Sequence, residues 1–172
     1  MENLYDILKL ILPAGIVFLT TYYLVKSFLD QERNKKAIDL KLANQSVITP
    51  IRLQAYERIV LFLERINPNG LVMRINKTGS AANFQGELLK TIRNEFEHNL
   101  SQQIYMSSKA WEATVRAKEE TIKIINVAST KVNGESEAME LAQAIIAVCS
   151  QLSEMPTKSA VSLIKKEIGK EF

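Results

Sequence analysis

Between Leu10 and Val25 the sequence carries no charged residue, and its apolar character extends outward past Lys9 to Ile7 and past Lys26 to Leu29. This run constrains the fold more than any other part of the chain. At ~1.5 Å per residue, a helix of roughly 20 residues crosses the ~30 Å hydrocarbon layer of a bilayer. Lys9 and Lys26 fall at the two ends, where a long amine reaches the headgroups, and Tyr5, Tyr22 and Tyr23 fall near the interfaces. Pro13 and Gly15 are poor residues for a water-soluble helix, but a membrane helix tolerates them. A secretory signal would open with basic residues and close on small ones. Here the leader carries Glu2 and Asp6, and the exit reads Val25-Lys26-Ser27-Phe28-Leu29. Residues 1–29 are therefore expected to form an uncleaved transmembrane anchor.

Basic residues near the ends set the expected orientation. Lys9 stands alone on the N-terminal side, whereas Lys26, Arg33, Lys35, Lys36 and Lys41 follow the run. The positive-inside bias then places the N-terminus outside and the rest of the chain in the cytoplasm. With that topology, the three N-x-S/T triplets starting at Asn44, Asn76 and Asn99 carry no glycan. The lone cysteine, Cys149, lies in an apolar stretch where it behaves as a small hydrophobe and has no disulfide partner within the chain.

The remainder of the 172 residues, within an overall hydrophobic fraction of 47%, is long enough for one domain with a core. Residues 30–48 are rich in charge and helix formers, which predicts a helical stalk that stops before Thr49-Pro50. Thr49 as cap and Pro50 at the first position begin a new helix, striped by Ile51, Ala55, Ile59, Phe62, Leu63 and Ile66 and ended by Asn67-Pro68-Asn69-Gly70. Leu71–Ile75 is too short to classify. Ser80 caps a helix to about Gln103 with Phe84, Leu88, Ile92, Phe96 and Leu100 on one face. Ser108 caps the next, which runs to about Val132 with a stripe of Trp111, Val115, Ile122 and Ile125. Helices from Ser136 to about Glu154 and from Pro156 to about Lys170 complete residues 49–172. Nothing alternates with period two, so no sheet is expected. The expected fold is all-α: a transmembrane helix followed by a cytoplasmic bundle of about five helices.

The run from Arg52 to Pro68, together with Glu95-Phe96-Glu97-His98-Asn99 and Ala110-Trp111-Glu112, resembles an uncharacterised family of short single-pass membrane proteins from Bacteroidota. The resemblance covers roughly residues 45–132 and rests on wording rather than on a catalytic signature. It implies a bacterial inner membrane and supplies no site residue, because that family has no assigned activity.

Glu95-x-x-His98 matches the ligand unit of di-iron bundles, but such a centre needs two of these units and the chain has one histidine. No catalytic residue, metal ligand or cofactor site is expected from this pattern. Polar residues do interrupt two apolar faces: Glu95, Asn99 and Gln103 fall among Phe84, Leu88, Ile92 and Phe96, and Lys118 falls among Trp111, Val115, Ile122 and Ile125. Glu95 and Lys118 either meet across the bundle or each find another polar group. The four form either a structural polar layer or a docking seam for a partner. The basic side of the last helix, with Lys158, Lys165, Lys166 and Lys170, is read as a solvated bundle face.

A net charge of +3, from 22 basic and 19 acidic residues, gives no field strong enough to favour nucleic acid. The expected function is a membrane-tethered helical interaction or scaffold module without catalytic activity or cofactor. Its partners are membrane lipid along residues 7–29 and either another protein or a second copy of the chain. The alternatives are an accessory subunit of a larger membrane complex and an enzyme with an unfamiliar site around Glu57, Glu95 and Lys118.

Overall fold

The computed structural model describes residues 2–171, with side chains described for Lys9 and for residues 11–170. The fold is all-α. The helices are α1 (Glu2–Arg65), α2 (Pro68–Arg74), α3 (Ala81–Asn99), α4 (Ser108–Ser129), α5 (Ala138–Ser150) and α6 (Pro156–Glu171), with a 3-10 segment at Leu100–Tyr105. No strand forms among the described residues. The chain divides into two units, Met1–Thr49 and Pro50–Phe172.

In the first unit every described residue from Ile11 to Ile48 is exposed except the half-buried Gly15. Thr20, inside the apolar run, turns its hydroxyl back to the carbonyls of Ile16 and Val17, at 3.0 and 2.9 Å. Its polar group thus needs no outside partner. The helix break expected at Thr49-Pro50 does not occur, because α1 is helical from Glu2 to Arg65. Pro50 removes one backbone donor, and the ladder continues on either side of it although the adjoining Val47, Ile48, Thr49 and Ile51 are β-branched.

In the second unit, side-chain caps set several helix starts. Asn67 accepts from the Asn69 amide at 3.2 Å and Pro68 occupies the first turn, so Pro68-Asn69-Gly70, expected only to end a helix, opens α2, which also takes in Leu71–Arg74 of the segment too short to classify. Ser80 caps α3 as expected, accepting from the Asn83 amide at 3.4 Å. The cap of α4 is Ser107 rather than Ser108, accepting from Ala110 N at 3.0 Å. The α-helix expected to reach Gln103 ends at Asn99 and tightens into the 3-10 segment. Gly79 takes a positive φ of 86°, the left-handed region that favours glycine. The chain there forms a single antiparallel bridge between Ser80 and Glu137. The Ala81 amide donates to the Ser136 carbonyl at 2.8 Å, and the Ala138 amide to that of Gly79 at 3.2 Å. These bonds tie the start of α3 to the start of α5 without a sheet.

Helix α4 packs against α3, α5 and α6, while α5 also packs against α2 and α3. Its buried face is Ala110, Thr114, Ala117, Thr121, Ile124, Ile125 and Ala128. This differs from the expected stripe. Of the four residues named from the sequence only Ile125 is fully buried, and Trp111, Val115 and Ile122 are half-buried. A helix packed against several others needs short side chains on its inner face so that each can approach, and the bulky residues then fall on the flanks. The neighbours supply the volume: Phe62 and Leu63 from α1, Leu88 and Ile92 from α3, Leu141 and Ile145 from α5, and Ile164 from α6.

Ala117 is 2% exposed, so there is no space for a longer side chain. A fragment beginning at Ser46 should lose its helical circular dichroism cooperatively on heating. Ala117→Leu in that fragment should lower its stability by about 1–3 kcal/mol through overpacking. A gradual melt would mean that another chain completes the core.

Candidate functional site

Helix α3 places Glu95 and Asn99 one turn apart on one flank, where Asn99 Nδ2 donates to the Glu95 backbone carbonyl at 2.8 Å. The Glu95 carboxylate accepts from Arg65 Nη1 at 3.1 and 3.2 Å. Lys118 lies elsewhere. Its Nζ is 2.8 Å from Glu119 Oε1 and 4.2 Å from the centroid of the Phe96 ring. Glu95 and Lys118 therefore each have another partner rather than each other. Gln103 is exposed on the 3-10 segment and does not join them, because the α-helix that would have carried it inward has already ended.

Aromatic packing explains this division. Phe96 stands 5.8 Å from Phe62 and stacks on Trp111 at 5.5 Å with 26° between the planes. The ring face attracts the Lys118 ammonium by about 0.5–2 kcal/mol. Glu95, one residue earlier, faces α1. There Arg58, Leu61 and Arg65 form one wall of an open groove, and Thr91, Asn94, Glu95 and His98 of α3 line the other. The His98 ring is held at Nδ1, 2.7 Å from the Asn94 carbonyl.

A second polar cluster was not singled out from the sequence. Tyr56 is fully buried, and its hydroxyl donates to Glu167 Oε1 on α6 while accepting from the Ser107 amide at 3.4 Å. Arg52 Nε donates to the Tyr105 carbonyl at 3.2 Å. Burial, then the bond to Glu167, pushes the Tyr56 phenol above its ordinary value; Ser107 and Arg52 pull the other way. The signal for Tyr56 is in the sequence, since it shares helical phase with Ile59, Leu63 and Ile66. Its partner is 111 residues away and has no local signal. Glu57, named in the enzyme alternative, is exposed. Beside this cluster an open cleft is lined by Lys109, Lys166 and Lys170 together with Glu154 and Glu167.

Among the described residues no three His, Cys, Asp or Glu side chains converge in a way that would hold a metal ion. Cys149 is buried in the core, where desolvation pushes its thiol up and keeps it protonated. In the first unit Lys9, Tyr22, Tyr23 and Lys26 are exposed on α1, with the tyrosine rings edge to face at 5.9 Å. The side chains of Tyr5 and Ile7 lie outside the described residues.

The chain belongs to DUF7935, a family of unknown function, whose model matches residues 2–171. That agrees with the resemblance to an uncharacterised family. No curated protein and no solved structure matches the chain.

A double-mutant cycle on Glu95 and Lys118 should give a coupling energy near zero. The same cycle on Glu95 and Arg65 should give about 0.2–1 kcal/mol, the range for a pair this exposed. At neutral pH, Tyr56→Phe should cost about 1–2 kcal/mol by removing a buried donor to a carboxylate. The folded-state value of Tyr56 is raised, so its stabilisation is complete below about pH 10 and is lost as pH rises through that value. Thermal melts of the two proteins should therefore converge in alkali.

Proposed function

We propose that this chain, which inherits no activity from its family, is a single-pass protein of a bacterial inner membrane. It holds a non-catalytic helical interaction domain at the cytoplasmic surface. The exposed apolar run is the observation that carries this reading. Among the described residues α1 is the one helix long and apolar enough to cross a membrane. Ile16, Val17, Phe18, Leu24 and Phe28 along it are each more than half exposed. An apolar surface of that extent is stable in lipid and not in water. The basic residues Lys26, Arg33, Lys35, Lys36 and Lys41, set against Lys9, favour a cytoplasmic C-terminal side.

The polar side chains of the helical domain support a binding role over catalysis. Glu95 is engaged by Arg65, Glu167 by Tyr56, and His98 by a backbone carbonyl. Glu95 and Glu167 each hold one helix to another and His98 is tied back to its own helix, whereas a general acid or base needs a free path to substrate. The surface left over consists of open grooves between helices.

The chain should stay with the membrane pellet after alkaline carbonate extraction. A fluorescent protein fused after Phe172 should shine, and alkaline phosphatase fused there should be inactive. Release by carbonate would overturn the anchor, and active phosphatase would overturn the orientation.

A further inference from the structure

Arg58, Leu61 and Arg65 follow one another at spacings of three and four along α1, so they form a single stripe on one face. All three are exposed, Leu61 at 53%. Among the described residues Arg58 makes no ion pair, and Arg65 gives only its Nη1 to Glu95. The groove therefore presents two guanidiniums against one carboxylate, with an exposed leucine between them. Glu95 already shows that the groove receives a carboxylate on Arg65. The opposite wall offers the side-chain amide of Asn94.

The spacing narrows the choice of occupant. Two positions seven residues apart on a helix are ~10.5 Å apart along its axis, a separation that two carboxylates two turns apart on a partner helix match without either arginine leaning toward the other. A helix carrying acidic residues two turns apart and an apolar residue between them matches all three side chains at once. This is recognition by a helix laid in a groove, with arginine forks reading carboxylates at each end. We infer that the groove between the end of α1 and α3 docks an acidic amphipathic helix of a partner protein. Its carboxylates meet Arg58 and Arg65, and its apolar side chain covers Leu61. This rests on the reading of the domain as an interaction module and names the chemistry of its partner. The lysine cleft beside Glu167 is the weaker candidate, because Glu154 and Glu167 lie in the same cleft as its ammonium groups.

The test uses the full chain in a non-ionic detergent, so its result does not depend on the membrane reading. The probe is a fluorescein-labelled helical peptide with two glutamates two turns apart and a leucine between them, followed by anisotropy. Arg58→Ala and Leu61→Ser, both at exposed positions, should each weaken binding about tenfold, near 1.4 kcal/mol. Arg58→Glu should abolish it, and a peptide with the matching glutamate changed to lysine should bind this variant again. Lys166→Glu, in the other cleft, should bind the original peptide as the natural chain does. The inference is overturned if the peptide fails to bind, if a glutamine version binds equally well, or if Arg58→Glu changes nothing. Full displacement by millimolar inorganic phosphate would also overturn it and would mark a small-anion site instead.

Discussion

Helices approach only as closely as the side chains between them allow, and in this domain α4 sets that limit. Its inner face is mostly alanine and threonine, so α3, α5 and α6 can all pack against it while supplying the larger core residues themselves. Trp111 lies at the flank of that face and stacks on Phe96. Lys118, on the same helix, lies on the Phe96 ring. Glu95 is left to Arg65 of α1. The small inner face of one helix thus leads, contact by contact, to the polar arrangement at the surface.

The polar groups of the second unit join elements that are distant in sequence. Tyr56 links α1 to α6 through Glu167 and to the start of α4 through the Ser107 amide. Ser80 and Glu137 meet in a backbone bridge that brings the starts of α3 and α5 together. Each bond satisfies a group that burial would otherwise penalise, and each fixes a relative position that apolar packing alone leaves loose. The exposed Arg65–Glu95 pair contributes little stability, which leaves its arginine available to a second carboxylate.

Under the proposed function, a tethered helical domain fits a role in which location and surface shape matter more than chemistry. Under the proposed topology, anchoring in a membrane confines the domain to a thin layer beside it. That raises its effective concentration toward any partner held at the same membrane, so a groove of modest intrinsic affinity is sufficient. Two arginines around a leucine suit that regime: the charges speed and orient encounter, and the apolar contact slows release.

The sequence by itself determined the all-α class, the single long apolar run and the Ser80 cap, because these depend on periodicity and on neighbours within a few residues. It also placed Ile59, Phe62 and Leu63 on the inward face of α1 and Leu88 and Ile92 on that of α3. Only the tertiary structure decided which face of α4 is buried. A search for large apolar residues finds the flank of a helix whose interior face is small, and the number of neighbours is not written in its own sequence. The partners of the polar residues were equally out of reach. Glu95 lies 30 residues from Arg65, and Tyr56 lies 111 from Glu167. No local spacing encodes such pairs, since they exist only once separate helices have packed and brought their side chains within hydrogen-bonding distance.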